Sequence, residues 1–181
     1  MNHRFIILFS VFCFLFSSAG CGYTTRSNIA TTIKTIYIEP FKNKIDFTSE
    51  FSEARNIKTY FPLLETKITQ TVVDRFIFDG NIKVVKKDKA DVILKGELTD
   101  YIRDTLRYDD NNNVEEYRLN LVVNMSLWKK DEDKVIWSEP RFVGQATYFT
   151  SGSQAKSEAV ALNDALTDLA RRIVERAVEQ W

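Results

Sequence analysis

Tyr117-Arg118-Leu119-Asn120-Leu121-Val122-Val123-Asn124-Met125-Ser126-Leu127-Trp128-Lys129 decides the fold. The odd positions up to Leu127 are apolar, and the even ones are mostly polar. A period of two held over this length is a β-strand with one buried face. Extended, the stretch spans about 40 Å, so it needs long neighbours. Ala90 to Arg103 supplies one, with Val92, Leu94, Gly96, Leu98 and Ile102 on one face, and the polar turn Asp109–Asn113 joins the two. On the other side Asp131-Glu132-Asp133 turns the chain into a strand from Val135 to Phe149, where Pro140 shifts the alternation and predicts a bulge.

Further out the period changes. Leu64, Ile68, Val72 and Phe76 repeat at helical spacing, with Pro62 opening the helix and Asp79-Gly80-Asn81 closing it. Gly152 to Trp181 reads as one long amphipathic helix with a stripe of Ala155, Ala159, Leu162, Leu166, Leu169, Ile173 and Ala177, capped by Ser151 with Gln154. Ile33 to Phe41 alternates and is β-rich, Ile82 to Val85 is a short strand, and Asn43 to Lys58 is a charged loop. Two helices hide their stripes only by covering a sheet. The expectation is an α+β two-layer sandwich: a mixed, mostly antiparallel sheet of about four strands with both helices on one face, in the order β-α-β-β-β-α. The first strand–helix–strand unit is expected to be right-handed. The other sheet face carries Arg118, Asn120, Asn124 and Ser126, and so meets water or a polar partner.

The 181 residues hold 25 basic and 25 acidic side chains. That balance argues against nucleic acid as a partner, since backbone binding needs a basic excess. No GxGxxG or GxxxxGK[ST] run occurs among the six glycines. The only histidine is His3, and the cysteines are Cys13 and Cys21. Residues 1–20 read as an export signal, with Arg4 ahead of an apolar run from Phe5 to Phe16 that is too short to span a membrane. Ser17-Ser18-Ala19-Gly20-Cys21 then resembles the lipobox of bacterial lipoproteins, although Ser18 stands where leucine is usual. In those proteins the cysteine carries diacylglycerol and an N-acyl chain. Residues 21–32 would then be a lipidated tether and residues 33–181 one domain.

Cleavage before Cys21 removes all histidine and leaves one thiol. Serine–histidine and cysteine–histidine catalysis are then excluded, as are ordinary zinc sites and any intrachain disulfide. No catalytic residue, metal site or cofactor is expected beyond the acyl chains on Cys21. The acids Asp100, Asp104, Asp109 and Asp110 sit at strand ends and turns without a calcium-loop spacing, and read as solvated charges. Tyr101, Tyr108, Tyr117, Trp128, Trp137 and Tyr148 mostly occupy strand positions, where cross-strand packing accounts for them better than a sugar platform.

The order of these pieces resembles a known family. Cys21-Gly22-Tyr23 is followed by Ile33-Lys34-Thr35-Ile36 and Pro40-Phe41-Lys42-Asn43. Ala90-Asp91-Val92-Ile93-Leu94-Lys95-Gly96, Leu106-Arg107-Tyr108-Asp109, Glu116-Tyr117-Arg118-Leu119 and Gly144-Gln145-Ala146-Thr147-Tyr148-Phe149 follow in turn. Together with the closing helix they resemble the lipopolysaccharide-assembly lipoproteins of LptE type, over essentially all of 21–181. The loop at 43–58 is larger than the family pattern.

The resemblance implies a non-enzymatic outer-membrane lipoprotein on the periplasmic side. Such a protein plugs the lipopolysaccharide-assembly β-barrel, aids its folding and meets lipopolysaccharide during delivery. Gly22 after the cysteine resembles lipoproteins sorted to the outer membrane. Family members carry basic residues at one sheet tip for phosphorylated lipid A. By position these correspond to Arg107 and Lys156, with Arg103 or Arg118 as substitutes. Two other readings stay open. One is a lipoprotein that activates a peptidoglycan synthase or joins a secretion complex. The other is an envelope hydrolase working with two carboxylates.

Overall fold

The structure is a computed structural model that describes residues 33–46 and 61–179. The export signal, Cys21, the tether and residues 47–60, which include most of the charged loop, lie outside the described residues. The elements are β1 (Thr35–Ile38), β2 (Lys42–Asn43), α1 (Leu64–Asp79), β3 (Lys83–Val84), β4 (Val92–Tyr108), β5 (Val114–Lys129), β6 (Lys134–Phe149) and α2 (Glu158–Glu179).

The sheet has six strands in the order β3-β1-β4-β5-β6, with β2 also beside β4. This exceeds the four expected because Pro40 interrupts the first strand, so that β1 and β2 pair separately, both parallel, with β4, and because the short β3 joins the sheet beside β1. β1 and β3 are parallel across α1, while β4, β5 and β6 form an antiparallel meander. Both helices pack on one face, and the class is the α+β sandwich expected.

Residues paired across strands share a face, so the register tells which side chains meet the helices. Leu94, Leu98, Leu119, Leu121, Val123 and Leu127 are buried against Ile68, Phe76, Leu162, Leu169 and Ile173. At Gly144, opposite Leu121, α2 comes so near that a Cβ would stand 2.3 Å from Leu169 Cβ and 2.6 Å from its Cα. No side chain fits there without lifting the helix.

Three sequence expectations need correction. A register shift between Leu98 and Asp100 inserts one extra residue, so Tyr101 takes the core position and Ile102 turns to the other face. The last helix begins at Glu158, not Gly152. Gly152 is left-handed (φ 85°), Lys156 N–H returns to the Phe149 carbonyl, and Ser157 Oγ caps the helix by accepting from Val160 N–H. Ala155 and Ala159 are therefore exposed, and Ser151 caps nothing. Pro62 stands just ahead of α1 rather than in its first turn. The bulge at Pro140 is present, with Arg141 at φ 52° between the pairs Val123–Phe142 and Met125–Glu139.

β6 is a sheet edge of 16 residues, a hazard for unwanted pairing. α2 blunts it. Asp168 accepts from Gln145 N–H at 3.0 Å and Arg172 donates to the Val143 carbonyl, so neighbouring outward backbone groups are taken.

Asp91 locks the sheet's entrance, accepting from the backbone N–H of Lys34 and Thr35 at 2.9 Å each. The Lys34 N–H chiefly holds its carboxyl below the usual range, against the opposing effect of burial, with Thr35 assisting. A depressed folded pKa contributes stability above the unfolded value that is lost as pH falls through the folded one. Asp91→Ala should cost about 1–2 kcal/mol at neutral pH, and the difference should fade at acid pH as the carboxyl takes up its proton. Urea titrations at the two pH values check both.

Candidate functional site

The three long strands outrun the helices. Beyond Tyr101 on β4 and before Leu119 on β5 the side chains are partly or fully exposed, and the hairpin between them ends in Asp109–Asn113. Asp109 Oδ1 shapes that turn by accepting from Asn111 and Asn113 N–H at 2.9 and 2.8 Å, and Asn112 takes φ 63°. Thr150 N–H donates to the Glu115 carbonyl, so the exit of β6 lies at the same tip, as the meander requires.

The four basic residues do not gather at one point. Arg103 lies on the helix-covered face and is locked there. Its Nη1 donates to Glu158 Oε2 at 2.7 Å, its guanidinium stands 4.8 Å from the Tyr117 ring, and Tyr101 Oη donates to the other Glu158 oxygen at 2.7 Å. Burial, then the Glu158 carboxylate, pushes the Tyr101 hydroxyl far up. Burial works against the Arg103 charge, but Glu158 holds its pKa above the ordinary value. The Tyr117 and Tyr148 rings stack at 5.6 Å beside them. This cluster seals the rim where the helices stop. Lys156 precedes α2 and pairs with Asp164 at 2.9 Å.

Arg107 and Arg118 lie on the opposite, uncovered face. Arg107 is 58% exposed, 3.7 Å from Glu116 and 4.0 Å from Glu115, with its guanidinium 5.8 Å from the Phe149 ring. Glu116 pairs with both Arg107 and Phe149, and Arg118 follows two residues later on the same face, opposite Asp104 and Thr147. The exposed ion pairs at Arg107 contribute little to stability, so an anion can exchange with them.

No described element covers this second face. It carries Lys95, Glu97, Asp104, Arg118, Asn120, Asn124, Ser126, Gln145 and Thr147, the polar character expected of it. Its groups are tied to one another. Asn120 Nδ2 donates to Asp104 at 2.8 Å, Arg141 reaches Asp100 at 3.4 Å, and Trp128 Nε1 donates to Ser126 at 2.9 Å under the Lys95 ammonium. Sequence alternation alone missed its apolar floor of Ile93 and Val122, 8% and 1% exposed. A hollow of about 210 Å³ opens between Glu39, Lys42, Glu97, Asn124 and Trp128. Among the described residues no cluster of histidine, cysteine and carboxylates could hold a metal ion, and no helix is long and apolar enough to cross a membrane.

Solved structures share this arrangement. Protein XCC0632 from Xanthomonas campestris is 14% identical, with 81% of this chain and 84% of that one covered and a TM-score of 0.56. Lipoprotein B from Nitrosomonas europaea is 17% identical, with 81% and 83% covered and a TM-score of 0.50. At such identities the likeness shows the fold alone. No curated protein matches in sequence. The family model described as LptE, lipopolysaccharide-assembly, matches residues 33–177, every strand and nearly all of the last helix. The chain belongs to the LptE lipopolysaccharide-assembly family.

Proposed function

We propose that this protein is an outer-membrane lipoprotein, anchored through Cys21 on the periplasmic side. In this reading it occupies the lumen of the lipopolysaccharide-assembly β-barrel, aids the barrel's folding and helps deliver lipopolysaccharide to the outer leaflet. It acts by binding and not by catalysis. Family membership supports the assembly role. The observation that carries the plug is the polar, uncovered sheet face on strands that outrun the helices. Barrel interiors are polar, and a wall of Asn, Ser, Thr, Arg and Glu side chains can exchange hydrogen bonds with such a lining.

For lipopolysaccharide the geometry favours Arg107 and Arg118 over Arg103 and Lys156. The first two share the free face near the tip, whereas Arg103 is committed to Glu158 and Lys156 turns towards α2, where it meets Asp164. Phosphate would replace Glu116 at Arg107 through charge-assisted hydrogen bonds. Arg107→Glu combined with Arg118→Glu should weaken lipopolysaccharide binding about tenfold at low salt, with the gap narrowing as salt rises. Unaltered binding by the folded double variant would remove this face as the contact.

A further inference from the structure

The end of the domain opposite the tip holds a second kind of surface. Phe78 is 81% exposed and Ile77 64%, in the last turn of α1, with the Arg75 guanidinium 5.3 Å from the Phe78 ring. Large side chains so bare, when the other described phenylalanines are buried or half-buried, mark an interaction site. Lys83, a few residues on, donates its N–H to the Lys34 carbonyl, so the helix end sits beside the point where the chain enters the fold. Lys34, Lys83, Lys86, Lys87 and Lys89 surround that point, all exposed, and none makes an ion pair among the described residues. The acids there are Asp79, Asp88 and Asp91, the first hydrogen-bonded to Asn81 and the last to backbone N–H groups, so the five lysines exceed the three carboxylates by two. The β5–β6 turn at this end adds Lys129, Lys130 and Lys134 against Asp131, Glu132 and Asp133, and so leaves the excess unchanged.

We infer that this end is a membrane-contact surface: Phe78 and Ile77 enter the headgroup region of an anionic bilayer, and the five lysines lie against its phosphates. Two facts select a lipid surface as the occupant. Exposed apolar side chains ringed by unpaired lysines complement anionic lipid in both respects. In addition, the first described residue, Ile33, is twelve residues from Cys21, a span of at most about 40 Å. The choice of lipid thus leans on the anchor reading, which would hold this end close to the bilayer and point the tip away.

The test separates the two. Intact mass of the native protein reports acylation of Cys21 by itself. The surface is read on the unacylated Cys21→Ala chain, sedimented with vesicles of phosphatidylglycerol and phosphatidylcholine. Each lysine near such a surface contributes about fivefold to partitioning. Phe78→Ser and, separately, Lys83→Glu with Lys87→Glu should therefore reduce vesicle binding at least about tenfold, while Leu106→Ser at the tip leaves it unchanged. Circular dichroism confirms that each variant is folded. Equal binding by all four chains would overturn the surface, whatever the mass shows. So would a concentration-dependent dimer dissolved by Phe78→Ser, which would make a second copy the occupant.

Discussion

A carboxylate at position 121 should unfold the domain. Leu121 is fully buried at the middle of β5, paired with Tyr101 on one side and Gly144 on the other, and Leu169 of α2 closes over it. Aspartate there would be ionised without a partner, which costs several kcal/mol on top of the lost packing. A domain of this kind has only about 5–15 kcal/mol in total. Leu121→Ala should lose about 2–5 kcal/mol and remain folded in the cold. Position 120 separates the two faces. Asn120→Ala gives up one hydrogen bond to Asp104 and should cost about 0.5–1 kcal/mol. Urea titration with circular dichroism reads all three, and a folded Leu121→Asp protein would mean that the helices cover the other face.

The second large effect concerns location. Cys21→Ala should abolish acylation, so that protein made in excess of the barrel moves from the membrane fraction into the soluble periplasm with its fold unaltered. Each buried methylene contributes about 0.8 kcal/mol to anchoring, so two or three acyl chains hold far more strongly than a surface patch. The substitution lies twelve residues before the first described residue, Ile33. A native protein without lipid by intact mass would contradict the anchor.

Alternation in β5 and the helical stripes of α1 and α2 were legible because each burial pattern repeats within one element. Leu119 to Leu127 and Leu64 to Phe76 lie where their spacing puts them. Ile102 was not, because the extra residue at Thr99 is a pairing event between strands, and nothing local in the sequence marks it. The start of α2 was hidden for a related reason. Ser151 and Ser157 are equally good caps in isolation, and only the return of Lys156 N–H to Phe149 selects the second. For the candidate site, sequence order placed Arg103, Arg107, Arg118 and Lys156 near one tip and Arg118 on the polar face, but could not assign a face to Arg107. The irregularity between Thr105 and Arg107 decides that Arg107 shares a face with Arg118. Similarly, the partner of Arg103 is Glu158, 55 residues away, and is brought to it by the fold alone.

The central claim, that the free polar face serves a β-barrel, is tested most directly by extracting the native protein in mild detergent and identifying what it retains by mass spectrometry. The account predicts one large outer-membrane β-barrel in equal amount, with crosslinks from photo-reactive residues at Gln145 and Thr147 to its lumen. Retention of a peptidoglycan synthase, or a ring of copies of this chain without a barrel, would contradict it.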